Sequence, residues 1–247
     1  MRQDDIKLKR TLFGFLILFL VAAAGCGGGG GGDESKRISI GSLPQNPVEI
    51  TTYEGGSLTK IADFKGAKTN DTTTIDTNAY RLNIYGLVDR PMSLTYSQVT
   101  GGFTRHKKVA SVHCVENWTQ PYLWEGVYFR DLVASAGPKP EATVVIFHSI
   151  DGFTTSLPID FLMTKDIIVA DKINGLTIPQ NIGFPFILAA QLKWGYKWAR
   201  WISGIEFSSD TNYKGTWENL GFSTIGNLWE PNRDGMTFNG CHTCHAR

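Results

Sequence analysis

Six consecutive glycines, Gly27 to Gly32, divide this chain of 247 residues. A run of that kind has no side chains to pack and a high backbone entropy to lose on ordering, so it reads as a flexible tether and no core is built through it. A glycine-rich phosphate loop would need a strand before it and a helix after it. Here an apolar run, Leu12 to Ala24, precedes it, and Asp33-Glu34-Ser35-Lys36-Arg37 follows. The apolar run is thirteen residues long, which suits the hydrophobic region of a signal peptide and is too short to span a bilayer comfortably. The fold is therefore built from the roughly 200 residues downstream, enough for one well-buried domain.

The same N-terminal stretch sets the compartment. Arg2, Lys7, Lys9 and Arg10 form a positive region, diluted by Asp4 and Asp5. The apolar run ends in Ala23-Ala24-Gly25-Cys26, which resembles the lipobox of bacterial lipoproteins, with Ala23 where that pattern more often has leucine. The resemblance implies cleavage before Cys26 and a lipid on its sulfur, which would anchor the chain to a membrane on the periplasmic side of the cell envelope. Ordinary signal cleavage with an unmodified Cys26 is the alternative. The expected organisation is a signal peptide over 1–25, a tether over 26–45, one domain over 46–230 and a tail over 231–247. A formal net charge of +1 and the lack of a basic patch argue against a nucleic-acid partner.

Between tether and tail the chain reads as short strands separated by turns. Tyr80 to Val88 alternates, with Tyr80, Leu82 and Ile84 on one face and Arg81, Asn83 and Tyr85 on the other. Lys107 to Val115, Thr143 to Ser149, Phe153 to Leu157, Ile167 to Asp171, Phe184 to Ala190 and Trp201 to Phe207 read as further strands. Asp151-Gly152 and Asn174-Gly175 mark hairpin turns. A helix is expected within Ser93 to Val99, capped at Ser93 or Thr95, and another over Phe129 to Ala136, closed by Gly137-Pro138. The region from Asn212 onward, polar and aromatic, is expected to wrap the domain as a loop. This pattern predicts an α+β fold dominated by β, in a single domain.

Apart from Cys26, the cysteines are Cys114, Cys241 and Cys244. Three cannot all pair within one chain, and an exported protein is in an oxidising compartment, so Cys114 needs a reason to stay reduced. It stands at the end of a predicted strand, in His113-Cys114-Val115-Glu116-Asn117-Trp118. It fits a buried structural cysteine, the commonest case from spacing alone. It fits zinc with His113 poorly, because no partner pair lies near. It also fits a thiolate bound to a redox metal whose other ligands come from a cofactor.

From about Val48 to Trp229 the chain resembles the sulfite-oxidase-type molybdopterin family, most closely its bacterial exported branch, which includes methionine-sulfoxide reductase catalytic subunits. The segments keep the family's order: Tyr80 to Val88, Cys114 to Trp118, Trp124-Glu125-Gly126-Val127 before Asp131-Leu132-Val133, Ser149 to Phe153 with Ser156-Leu157-Pro158, Trp194 to Ile202, and Gly215 to Phe222. The resemblance implies a β-rich sulfite-oxidase fold and a molybdenum-molybdopterin cofactor with Cys114 as metal ligand. Lys197, Trp198 and Arg200 fall where the family binds the pterin phosphate. Ser149 and Asn181 fall at further polar contacts to the cofactor. Tyr53-Glu54 resembles a segment that closes over the pterin. Glu116 is a candidate proton carrier beside the metal, since oxygen-atom transfer moves two protons with two electrons; a salt-bridge partner is the alternative. Activity on a small substrate, with electrons exchanged with a cytochrome or quinone-linked partner, is the expectation.

Two features depart from the family pattern. Ile187 stands where the family usually has arginine, which argues against a sulfite-like anionic substrate. Only Lys9-Arg10 answers the twin-arginine signal on which loaded family members are exported. Both leave room for a non-catalytic lipoprotein of the same fold, acting as a binding or electron-transfer module. At the C-terminus, Cys241-His242-Thr243-Cys244-His245 fits covalent c-type heme attachment: the thiols of Cys241 and Cys244 bond the vinyl groups and His245 reaches the iron. Met236 is a candidate sixth ligand. A Cys241–Cys244 disulfide and a zinc clip using His242 or His245 are the alternatives.

Overall fold

The computed structural model describes residues 47–66, 74–231 and 235. Cys26, the glycine run, Met236 and the Cys241–His245 motif lie outside the described residues. In chain order the elements are β1 (Thr52–Tyr53), β2 (Gly56–Ser57), β3 (Leu82–Gly86), β4 (Met92–Leu94), α1 (Tyr96–Gly101), β5 (His106–Cys114), β6 (Trp118–Tyr128) and α2 (Phe129–Val133), followed by β7 (Val144–Ser149), β8 (Thr154–Pro158), α3 (Ile159–Thr164), β9 (Ile168–Ile173), β10 (Leu176–Thr177), β11 (Ile187–Ala189) and β12 (Ile202–Ser208). No helix among the described residues is long and apolar enough to cross a membrane.

The strands form two main sheets. One runs β10-β9-β6-β5, with β11 also on β9, and is antiparallel throughout. The other runs β4-β3-β12-β7-β8, and only β3 and β12 within it are parallel. Parallel neighbours need a long crossover, and the whole first sheet is inserted between these two. Both sheets feed one hydrophobic core. The joint between them is α2, which follows β6 without a break. Its Phe129 packs at 5.9 Å from Phe147 of β7 and 6.3 Å from Phe207 of β12.

The expected β3 alternation is realised side chain by side chain: Tyr80, Leu82 and Ile84 are buried while Arg81, Asn83 and Tyr85 are exposed. Thr95, not Ser93, caps α1, its hydroxyl accepting from the Gln98 amide while the Gln98 side chain accepts from the Thr95 amide. Ser93 lies in β4 instead. The longest strand, β6, has no counterpart in the sequence reading. Pro121, Glu125 and Gly126 interrupt its pattern, and the family-like segment Trp124 to Val127 is its last part, running as strand up to Tyr128. Pro121 fits because its flank away from β5 is not a ladder there: its carbonyl accepts from the Thr59 amide at 2.9 Å. Gly126 sits at a bulge against β9, where a Cβ would lie 2.1 Å from the Val169 carbonyl oxygen.

From residue 209 onward the described chain wraps the domain, as expected. Residues 222–230 fold over a small apolar cluster of Trp194, Tyr196, Phe222 and Leu228. The buried Lys193 pins this strap, donating to the Ile225 carbonyl at 2.9 Å and to Asn227 Oδ1 at 2.6 Å. Tyr196 adds a bond from its hydroxyl to the Ser223 carbonyl at 2.8 Å.

Gly126→Ala is expected to cost about 3 kcal/mol, since backbone must move to admit one methyl group, and urea unfolding measures it. A second expectation concerns pH. Burial, reinforced by the charge of Lys197, pushes Lys193 down to about 8, against some support from Glu230. The unfolded chain then binds more protons between pH 8 and the ordinary lysine value, so this residue makes stability rise with pH across that window. Wild-type unfolding free energy should gain on the order of 2 kcal/mol more than Lys193→Met between pH 8 and 10; equal slopes in urea titrations would refute it.

Candidate cofactor site

Cys114 stands at the tip of the β5–β6 hairpin. Val115, Glu116 and Asn117 make the turn: the Asn117 amide donates to the Cys114 carbonyl at 3.1 Å, and Asn117 takes the left-handed conformation at φ 63°. Asparagine tolerates that region better than other residues with a Cβ, so this turn closes in three residues. Beside it, His113 bridges to Trp194, and Gly195 lies so close that a Cβ there would stand 3.2 Å from the His113 carbonyl oxygen.

The sulfur opens onto a cavity of about 230 Å³. Five of the chain's seven tryptophans line it, namely Trp118, Trp124, Trp198, Trp201 and Trp217, so the walls are mostly flat, apolar faces. Trp118 and Trp124 come from one face of β6, where successive inward positions are Trp118, Gln120, Tyr122 and Trp124. Ile187 completes an apolar wall where the sequence comparison expected an arginine. Apart from the tryptophans, the lining residues with polar side chains are few: Cys114, Asp151, Arg200 and Tyr196, whose hydroxyl is taken by the Ser223 carbonyl.

Burial pushes the Cys114 thiol up, partly offset by hydrogen bonds from the Glu116 and Val115 amides. A thiolate here therefore calls for a nearby cation. Glu116 is exposed, with Oε2 4.0 Å from the sulfur, and accepts from Trp118 Nε1 at 3.3 Å. Burial pushes Arg200 down to about 10, with Asp151 opposing, so it is charged at neutral pH. Its guanidinium donates to the Ile182 carbonyl at 3.0 Å and lies 4.6 Å from the Trp201 ring centre and 5.7 Å from that of Phe64.

The remaining expected site residues fall into two groups. Trp198 lines the cavity, its indole N–H held by the Lys193 carbonyl at 3.1 Å. Ser149 is buried at the end of β7, and its hydroxyl has no hydrogen-bond partner. The turn that follows carries Asp151 and Phe153 to the cavity. Lys197 is fully buried, and its ammonium is bonded to Glu218 and to the Thr224 carbonyl. Burial pushes it down and Glu218 pulls it back. Contact with a phosphate would require that ion pair to open. Asn181 is exposed and Tyr53 and Glu54 form the small β1–β2 hairpin, and none of the three lines the cavity. The N-terminal arm does reach it, but through Phe64 and Gly66. Those two, with Asp151 and Trp217, were not singled out from sequence. The period-2 aromatic spacing of Trp118, Tyr122 and Trp124 was the available signal for the β6 wall.

The residues present fit a molybdopterin group. A free thiol faces the cavity, a charged guanidinium shares it, the walls are aromatic, and a buried hydroxyl nearby lacks a partner. Among the described residues no cluster of three or more His, Cys, Asp or Glu could hold a metal by itself. A metal at Cys114 would take its other ligands from the cofactor.

Comparison with known proteins agrees. Residues 69–217 match the oxidoreductase molybdopterin binding domain family. The uncharacterized oxidoreductase YuiH of Bacillus subtilis is 35% identical over 159 residues, covering 64% of this chain and 79% of that protein. The protein-methionine-sulfoxide reductase catalytic subunit MsrP of Gluconobacter oxydans is 27% identical over 197 residues, 73% of this chain and 62% of that one. The sulfane dehydrogenase SoxCD from Paracoccus pantotrophus shares the fold, with a TM-score of 0.55 at 21% identity over 83% of this chain and 61% of that one. The chain thus spans less than two thirds of the latter two proteins. With a family match over most of its folded part, and a thiol, a guanidinium and aromatic walls gathered in one cavity, this chain belongs to the molybdopterin-binding oxidoreductases.

Proposed function

We propose that this protein is an exported, lipid-anchored molybdopterin-dependent enzyme that moves an oxygen atom to or from a small substrate, with Cys114 as the protein ligand to molybdenum. The observation that carries this reading is the free Cys114 thiol on the wall of an aromatic cavity that also holds Arg200. When bound, the cofactor supplies a metal that exchanges an oxygen atom and two electrons. The chain's own contribution is to hold and surround it. Cys114 supplies the sulfur, and the rigid hairpin tip fixes where that sulfur points. The tryptophan walls exclude water and receive a flat heterocycle, and in that low-dielectric setting the charge of Arg200 acts strongly on a phosphate. The Ser149 hydroxyl is available to a polar edge of the cofactor. Lys197 grips Glu218 and Thr224 and so fixes the segment that carries Trp198 and Arg200. Glu116, exposed and beside the sulfur, is assigned as proton carrier between water and the cavity.

Ile187 makes one wall apolar, which favours a neutral oxo-donor or acceptor over a sulfite-like anion. Electrons are assigned to a c-type heme on Cys241, Cys244 and His245, and beyond it to a cytochrome or quinone-linked partner at the membrane. Cys26 is assigned as the lipidated residue on the periplasmic side of the envelope.

Elemental analysis of the native exported protein should find about one molybdenum per chain, lost in a folded Cys114→Ser variant. A folded, correctly exported wild type without molybdenum, or a Cys114→Ser variant with full biological function, would favour a binding module of the same fold. The heme is tested separately. Protein from a host with heme-attachment machinery should keep a heme stain after denaturation and lose it in Cys241→Ser; an unstained wild type removes the heme from the scheme.

A further inference from the structure

We propose that Gln120 is a positioning residue for the cofactor cavity: it clasps the N-terminal arm so that Phe64 and Gly66 close one wall and slow the cofactor's departure. This rests on the reading of the cavity as the molybdopterin site. Gln120 is buried at 5% exposure on the inward face of β6, between the cavity residues Trp118 and Trp124. A buried amide in an aromatic face is costly unless satisfied, and this one is satisfied almost wholly by the arm. Its Oε1 accepts from the Lys65 amide at 2.9 Å and from the Tyr122 hydroxyl at 3.1 Å, and its Nε2 donates to the Asp63 carbonyl at 2.7 Å. The two backbone bonds bracket Phe64, whose ring then packs 5.8 Å from Tyr122 and lies beneath the Arg200 guanidinium.

The arm is attached differently from the rest of the wall. Val112, Cys114, Trp118, Trp124 and Ile187 sit in the first sheet and cannot move without breaking ladders. The arm joins no large sheet. It is held by the Gln120 bonds, by Thr59 on the Pro121 carbonyl, by the Ile50 amide on the Asn174 carbonyl at 2.9 Å, and by a polar knot in which Asn174 Nδ2 donates to the Thr59 carbonyl at 2.8 Å and to Glu49 at 3.0 Å. Of these, the Gln120 bonds are the ones next to the cavity. Their loss lets Phe64 swing away while the arm stays attached upstream.

The test uses the holoprotein. Gln120→Leu keeps most of the volume and removes both polar ends. Release of cofactor into filtrate is read by the fluorescence of oxidised pterin, and hydrogen exchange reports on residues 60–66. Phe207→Leu, a core change in the second sheet, serves as a control matched for lost thermal stability. The expected result is release about tenfold faster in Gln120→Leu, with protection of 60–66 lost, and neither change in the control. Should the leucine variant not accumulate, Gln120→Glu keeps the acceptor for Lys65, drops the donor to Asp63, and should release at an intermediate rate. Unchanged release despite an exposed arm, unchanged protection, or equal acceleration in the control each overturns the clasp and leaves the cavity reading standing. Wild type isolated without pterin from a host that makes it removes the cavity reading, and the clasp with it.

Discussion

The nine-pair antiparallel ladder between β5 and β6 is the constraint on which the cavity depends. It ends in a turn too short to flex, so Cys114 is held by both strands at once. The same ladder sets the register of β6, and the register decides that Trp118, Gln120, Tyr122 and Trp124 share one face. A shift of one residue would turn all four away and present Thr119, Pro121 and Leu123 instead. Sulfur position and wall composition are thus two consequences of one pairing. Gly195 completes the arrangement by letting the segment after Trp194 lie directly against the strand that carries the cysteine.

Within the cavity the balance is between desolvation and charge. Burial raises the thiol and lowers Arg200, so each favours its neutral form more than it would in water. A metal cation and an anionic phosphate reverse both tendencies. On the proposed reading, a ligand bringing both charges would meet a thiol that otherwise donates to Glu116 at 4.0 Å and a guanidinium packed against Trp201 and Phe64. Lys197 shows the opposite solution. Its ammonium meets Glu218, which also accepts from the Thr155 hydroxyl at 2.7 Å, and the pair ties β8, the 195–197 turn and the strap into one unit. Removing either partner would leave the other charge buried and unpaired, which is strongly destabilising.

Much of the fold was legible in local patterns. β3, β5, β7, β8, β9 and β12 were recognised because alternation or a β-branched run is a property of neighbouring residues. β11 is shorter than the apolar run from Phe184 to Ala190, since burial alone does not distinguish strand from packed loop. β6 went unseen because proline, glutamate and glycine are tolerated there only by particular partners: the Thr59 amide takes the Pro121 carbonyl, Arg105, Lys107 and Lys172 surround Glu125, and the Val169 carbonyl demands Gly126. Among the residues that line the cavity, Cys114, Trp198 and Arg200 were legible because motif and resemblance mark them. Phe64 and Gly66 carry no local mark, since they matter only through what they face, and Trp217 was marked only as part of the Gly215 to Phe222 segment.

The amino-acid sequence by itself determined the β-rich class, the strand end that carries Cys114, and the molybdopterin family. These follow from periodicity, turn chemistry and motif, which act over a few residues. Only the tertiary structure decided that the arm closes the cavity at Phe64 rather than at Tyr53, that Lys197 answers Glu218 instead of facing the cavity, and that Arg200 supplies the charge beside an apolar Ile187. Each of those outcomes is a competition among groups distant in the chain for one buried partner. Which group wins depends on how much water its neighbours exclude, a quantity that exists only once the sheets have packed.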